Sequence, residues 1–187
     1  MLAEWRSDAR ICADVAPIAT ANYLGGERGP RERRCLLQSR GPLVLHMLRG
    51  MIGNDRFAAA TKRYLDAANM GPATTADFAR AVSETVGGDM SWFFDQWIRG
   101  TGVPQVSVEQ HVDRLPDGKF RLWGAVRQAP GPEFKKLIVP LVLDVGGKTE
   151  VPAVFQEEPE TTFDFPLPER PRSVKVDPSE NNIATYK

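Results

Sequence analysis

His46 and His111 are the only histidines, and Cys12 and Cys35 the only cysteines, in this 187-residue chain, so their spacing limits the chemistry available to it. Catalytic zinc typically takes three protein ligands and keeps one position open for water. His46 stands on a helix-like stretch with Arg49 and Gly50 at i+3 and i+4, and His111 on a strand-like stretch without a second histidine. Both are therefore expected to be structural histidines. Cys12 and Cys35 are too few for a disulfide scaffold or a four-cysteine zinc site; they either pair or remain two thiols, and their spacing does not decide which. Neither has a histidine close in sequence, and no G-x-S-x-G elbow is present. Gly25-Gly26, Gly87-Gly88 and Gly146-Gly147 lack the spacing of a phosphate cradle and are expected to be turns or helix stops. Trp92, Phe93, Phe94 and Trp97 recur at helical spacing, the mark of core packing rather than of a ligand-stacking box. The residues alone thus nominate no catalytic side chain and no metal ligand.

The elements around these residues change character near Gly102-Val103-Pro104. Before it apolar residues recur with helical spacing; after it they alternate and β-branched residues become common. The expectation is an α+β chain of two units, 1–102 a helical bundle and 103–187 an immunoglobulin- or fibronectin-like β-sandwich. Pro42 suits the first turn of a helix carrying Leu43, Val44, Met47, Leu48, Met51 and Ile52. Asn54 is expected to cap the next helix, which buries Phe57, Thr61, Tyr64, Leu65 and Ala68. After the break Asn69-Met70-Gly71-Pro72, Thr74 and Asp77 predict a capping box for a helix over Phe78, Ala81, Val82, Thr85 and Val86. Asp89 is expected to cap a last helix with Met90, Phe93, Phe94, Trp97 and Ile98 inward. Residues 9–24 predict a helix kinked or broken at Pro17, and 25–34 an exposed loop. Strands are expected over 105–112, 119–126, 134–145, 148–155, 161–167 and 173–176, with turns at Leu115-Pro116-Asp117-Gly118 and Gly146-Gly147.

Composition narrows partners more than function. Hydrophobic residues make up 42% and charged residues 26%, and the formal net charge is zero. No global pull toward nucleic acid follows, and no run approaches the ~20 apolar residues needed to span a bilayer. Arg28, Arg31, Arg33 and Arg34 form a basic run broken by Glu27 and Glu32, as a solvated surface would. Glu4 and Asp8 fall where a secretory leader would be basic and then apolar, and the compartment stays undetermined.

Four blocks carry a family resemblance: Arg40-Gly41-Pro42-Leu43-Val44-Leu45-His46-Met47-Leu48-Arg49, Asp77-Phe78, Trp92-Phe93-Phe94-Asp95-Gln96-Trp97 and Gly102-Val103-Pro104. Their order and spacing resemble the gluzincin zinc aminopeptidases, the family of aminopeptidase N and leukotriene hydrolase. The closing Val174-Lys175-Val176-Asp177-Pro178 resembles the end of that family's β domain. The resemblance implies that residues 1–102 are the second half of a catalytic domain and 103–187 the β module that follows it. In the family an H-E-x-x-H motif and a later glutamate bind zinc, whose water attacks the scissile carbonyl. Those ligands would lie upstream of the blocks matched here, so zinc is expected only in a full-length relative and no cofactor in this chain.

The resemblance also nominates cleft residues. A family tyrosine three positions before the glycine matching Gly41 donates to the developing oxyanion; here Gln38 stands at that position, and Arg40 replaces the usual lysine. A glutamine amide donates a hydrogen bond but lacks the acidity and reach of a phenol. Losing one oxyanion donor costs on the order of 10²–10³ in turnover. Gln38, Arg40 and Gly41 are thus substrate-cleft candidates, and weak or absent peptidase activity is expected. The implied role is to complete the cleft and support an upstream zinc-binding half. The alternative is a non-catalytic binding or scaffolding module derived from the same fold. Expected partners are that upstream half or a second copy, through an apolar face around 43–52, with peptide substrate only at full length. Trp123, the one tryptophan after residue 103, is thin support for ligand binding on the β unit.

Overall fold

The computed structural model describes residues 7–9, 11–12, 14–26, 29–69, 71–131, 134–178 and 182–187. Glu4, Glu27, Arg28 and Met70, which enter the sequence reading, lie outside them. The chain is α+β and divides into two compact units, Met1–Gly102 and Val103–Lys187. Helices fill the first and strands the second.

The first unit departs from the sequence expectation at its start. Residues 14–17 are not helical, and a 3₁₀ helix, Ile18–Tyr23, follows Pro17 in place of one kinked helix over 9–24. The loop expected over 25–34 is also corrected: α1 spans Gly29–Cys35. Pro30 tolerates the first turn, where no N–H is needed, and arginine is a good helix former. Arg33 further ties the helix back by donating from Nη2 to the Leu24 carbonyl at 3.1 Å.

α1 does not end where Pro42 predicted a new start. It runs through a π-helical turn, Leu36–Arg40, directly into α2, Gly41–Ile52. A proline inside a regular helix removes one hydrogen bond and clashes with the carbonyl four residues back. Here the Gly41 N–H donates to the Leu36 carbonyl, five residues back, and the widened turn takes up the insertion just before Pro42.

α3 spans Asn54–Ala68, α4 Thr75–Val86 and α5 Ser91–Phe94, the last continuing into a second π-helical turn, Asp95–Arg99. Thr74 and Asp77 form the expected capping box on α4. Asn54 does not cap α3: Gly53, at φ 85°, holds that position, and the Asn54 Oδ1 accepts from Arg49 Nε at 2.7 Å. Met90 holds the N-cap position of α5, although Asp89 accepts the Ser91 N–H at 2.9 Å.

The core of this unit is Leu36, Leu43, Val44, Leu48, Val82, Phe93, Phe94 and Trp97. The ring of Phe78 meets those of Tyr64 at 5.2 Å and Phe94 at 5.8 Å, both edge-on. α3 lends less than expected: Ala60 is buried, whereas Leu65 is 60% exposed. The open apolar face expected around 43–52 is also corrected. Leu43, Val44, Met47, Leu48 and Ile52 are buried within the unit, and only Leu45 is exposed.

The second unit holds two sheets. β1 (Gln105–Arg114) pairs antiparallel with β2 (Phe120–Gln128), which pairs with β6 (Glu160–Leu167). β3 (Leu137–Val145) centres the other sheet, with β4 (Lys148–Glu150) and β5 (Ala153–Gln156) along one side and β7 (Ser173–Val176) along the other. Gly146 and Gly147, both at positive φ, supply the two-residue turn between β3 and β4. The strand expected over 148–155 is interrupted at Val151-Pro152, but Leu141 N–H donates to the Pro152 carbonyl at 2.8 Å and keeps the register. β3 buries every second residue, Leu137, Val139, Leu141, Leu143 and Val145. Gln156, fully buried, donates from Nε2 to the Val126 carbonyl at 3.3 Å and so joins the two sheets.

Sequence periodicity misses β8, Thr185–Tyr186, which is too short to show any; it pairs parallel with the start of β1. A buried polar knot anchors it. Asp177 Oδ2 accepts from Asn182 N–H at 3.1 Å and Tyr186 OH at 3.3 Å, while Asn182 Nδ2 donates to the Ile138 carbonyl at 2.8 Å. Burial, then the Asp177 carboxylate, pushes the Tyr186 phenol well above its ordinary range. The folded state therefore favours the neutral phenol. Its contribution is complete below the unfolded value near pH ~10 and is lost as pH rises beyond it. Wild type should lose stability above that pH by up to about 1.4 kcal/mol per pH unit from this group. Tyr186→Phe should lose that slope and cost about 1 kcal/mol at neutral pH. Urea unfolding across the alkaline range checks both; parallel profiles would contradict the role of the phenol.

Candidate functional site

The π-helical turn places the three cleft candidates in different settings. Gln38 is exposed, Ser39 and Arg40 are buried, and Gly41 is half-buried. Gln38 and Ser39 border a cavity of about 720 Å³, together with Asp8, Ile11, Val15 and Arg34. The Ser39 hydroxyl donates to Asp8 Oδ2 at 3.2 Å, tying the turn to the start of the chain.

Arg40 points the other way. It is fully buried, and its Nη2 reaches the Gly100 carbonyl at 3.5 Å. Burial pushes the guanidinium below its usual range, and nearby Asp14 pushes it back up. Its surroundings make it a tie between the π turn and the segment after Arg99, not a cavity-facing group. Gly41 has ordinary helical backbone, and a Cβ there would meet the Leu36 carbonyl at 3.4 Å, so the first unit does not itself demand glycine.

Cys12 and Cys35 are joined in a disulfide and both border the same cavity. Sequence left that pairing open, because only the approach of the strap over residues 7–26 to the end of α1 decides it. Asp8 gave no sequence signal either: its role depends on that same approach.

No described group of three or more His, Cys, Asp or Glu is arranged to hold a metal ion. His46 lies half-buried on α2, in the first unit, and His111 is exposed on β1, in the second. His111 stacks on Trp123 at 4.6 Å, and the Trp123 indole N–H donates to Asp113 at 2.7 Å. Glu109 and Glu160 hold the Arg127 guanidinium at 2.6 and 3.0 Å on the same face. These contacts account for that face as a set of cross-strand pairs. No helix among the described residues is long and apolar enough to cross a membrane.

No family model matches the chain. Aminopeptidase N of Lactococcus lactis subsp. lactis is 34% identical over 80 residues, 43% of this chain and 9% of that protein. Leucyl aminopeptidase of Saccharolobus solfataricus is 27% identical over 139 residues, 73% of this chain and 16% of that protein. Alanine/arginine aminopeptidase of Saccharomyces cerevisiae is 25% identical over 130 residues, 68% of this chain and 15% of that protein. The chain thus spans between 9% and 16% of the length of these relatives. Among solved structures, Legionella pneumophila aminopeptidase A, in complex with aspartic acid, matches with a TM-score of 0.65 at 19% identity. That match covers 82% of this chain and 18% of the other, and at such identity it speaks for the fold alone.

Proposed function

This chain is related to part of the aminopeptidase N-like metallopeptidases, and from that premise we propose that it is the C-terminal part of a zinc aminopeptidase-like protein. In this reading the helical unit is a bundle that walls the substrate cleft and supports an upstream zinc-binding half. The second unit, with its two sheets, is an immunoglobulin- or fibronectin-like sandwich placed after the catalytic domain. The observation that carries the reading is the placement of Gln38: the position matching the family tyrosine is exposed on the wall of a large cavity.

Zinc does not fit the donor set of the described residues, which offers no three-ligand group and only two histidines, one in each unit. No chemical step is therefore assigned to a metal on this chain. What its residues supply is shape, a glutamine amide that donates a hydrogen bond at the cavity wall, and a helix fixed by Arg40. The isolated chain should bind no stoichiometric zinc in equilibrium dialysis and release no nitroaniline from alanine p-nitroanilide. One-to-one zinc with turnover would overturn the reading. In a full-length protein containing this segment, Gln38→Tyr should raise turnover; no gain would argue against a cleft role for that position.

The proposed contact with an upstream half falls on side chains that the unit leaves uncovered. Ile11 is 73% exposed, Leu37 41% and Leu45 41%. If no upstream half is supplied, the same residues favour self-association, which sedimentation across a concentration series measures. A non-catalytic scaffolding role is the second reading, favoured by glutamine at the tyrosine position. It predicts that Gln38→Tyr leaves even the full-length protein inactive.

A further inference from the structure

The strap over residues 7–26 is held to the helical unit in an unusual way. Its buried side chains are small: Ala9, Cys12, Ala16 and Ala21. Its large apolar ones face out, with Ile11 73%, Val15 39% and Tyr23 87% exposed. The apolar cluster beneath it consists of Cys12, Ala16, Ala21 and Leu36, with Leu24 and Cys35 at its edge. Alanines remove little apolar area from water, so this cluster anchors weakly. Polar ties add Ser39 to Asp8 at 3.2 Å and Arg33 to the Leu24 carbonyl at 3.1 Å, contacts with exposed or part-buried partners. The strongest attachment is covalent: the bond from Cys12 to Cys35, 23 residues on, at the end of α1.

We propose that the Cys12–Cys35 disulfide is a redox latch that holds the strap as one wall of the cavity beside Gln38. A thin apolar seam opens at low cost, and cross-linking its two sides removes most of the open ensemble. Both sulfurs border the cavity, but Cys12 is 2% exposed and Cys35 half-buried, so a reductant reaches the bond at Cys35. A dithiol opens it by thiolate attack on the Cys35 sulfur, which breaks the disulfide and expels Cys12 as a thiol. The reductant's second thiolate then displaces Cys35 and leaves as a cyclic disulfide. Two electrons pass from the dithiol to the pair, and both cysteines end protonated. The latch stays closed in an oxidising compartment and opens in a thiol-reducing one. The strap is then released while α2 to α5, with their own core, keep their fold.

Hydrogen exchange read by mass spectrometry, on the full chain with and without dithiothreitol, tests this independently of any peptidase activity. Reduction should raise exchange within 7–26 on the order of a hundredfold and leave 54–86 and 105–187 unchanged. A Cys12→Ala/Cys35→Val variant keeps the seam apolar without the bond, and its strap should exchange as the reduced protein does. Two free thiols in the protein before reduction would overturn the latch. So would unchanged exchange in the strap, protection restored by the apolar pair, or unfolding of α3 and α4 together with the strap.

Discussion

Replacing Trp97 with alanine should lower the unfolding free energy of the helical unit by about 3–5 kcal/mol, the usual cost of truncating a buried large aromatic. Trp97 is 1% exposed and heads the set of large, fully buried side chains. It sits in the second π-helical turn, five residues past the start of α5 at Ser91–Phe94 and close in sequence to the buried Phe93 and Phe94. Those two rings are locked edge-on at 5.7 Å, and Phe94 also meets Phe78, so the wall is poorly placed to collapse into the space left by the indole. Trp97→Phe should cost less than half as much, because a ring still fills most of the volume. Trp92→Ala, at a half-buried position, should also cost less. Denaturant unfolding followed by far-UV circular dichroism checks the series; a loss under 1 kcal/mol for Trp97→Ala would remove Trp97 from the core. The result bears on function as well. Trp92–Trp97 is one of the blocks that carry the family resemblance, and a stability cost there would mark it as packing.

The parts of the fold that follow from the sequence are those in which periodicity and local chemistry agree. Thr74 with Asp77 wrote the capping box of α4, and Leu137, Val139, Leu141, Leu143 and Val145 wrote the alternation of β3. The failures have equally local causes. Pro42 carries the same signature whether it opens a helix or follows a π-helical turn, because in both settings its missing N–H is not called upon. What separates the two is whether the preceding residues are helical. The polar run Gly29–Cys35, rich in arginine, has no apolar stripe to announce that it is. Asn54 has the right chemistry for a cap, but Gly53 takes the positive φ and the cap position. At the candidate site, resemblance nominated Gln38, Arg40 and Gly41 as neighbours in sequence, and the π turn sends Gln38 outward and Arg40 inward. The disulfide, Asp8 and the Asp177 knot join residues distant in sequence, and spacing along one chain carries no trace of such contacts.

Arg40 is where the two roles of a buried cation separate. Arg40→Ala should destabilise the helical unit by about 2–4 kcal/mol, because it empties a fully buried position and leaves the Gly100 carbonyl without its guanidinium. Arg40→Met keeps much of the volume and removes the charge. Burial lowers the guanidinium pKa, so the charged form is the one that the fold disfavours, and Asp14 offsets this only in part. Deleting the charge therefore returns desolvation energy while losing the contact to Gly100, and the net change should be about 1 kcal/mol or less. Asp14, exposed on its loop, stays hydrated when Arg40 goes, so no stranded buried charge adds to the cost. Equal losses in the two variants, measured by denaturant unfolding, would mean that the guanidinium contact rather than the volume holds the turn. Because Arg40 sits two residues from Gln38 in the same π turn, hydrogen exchange at 36–41 should rise in Arg40→Ala and stay near wild type in Arg40→Met. That contrast decides whether the wall bearing Gln38 is set by packing or by charge.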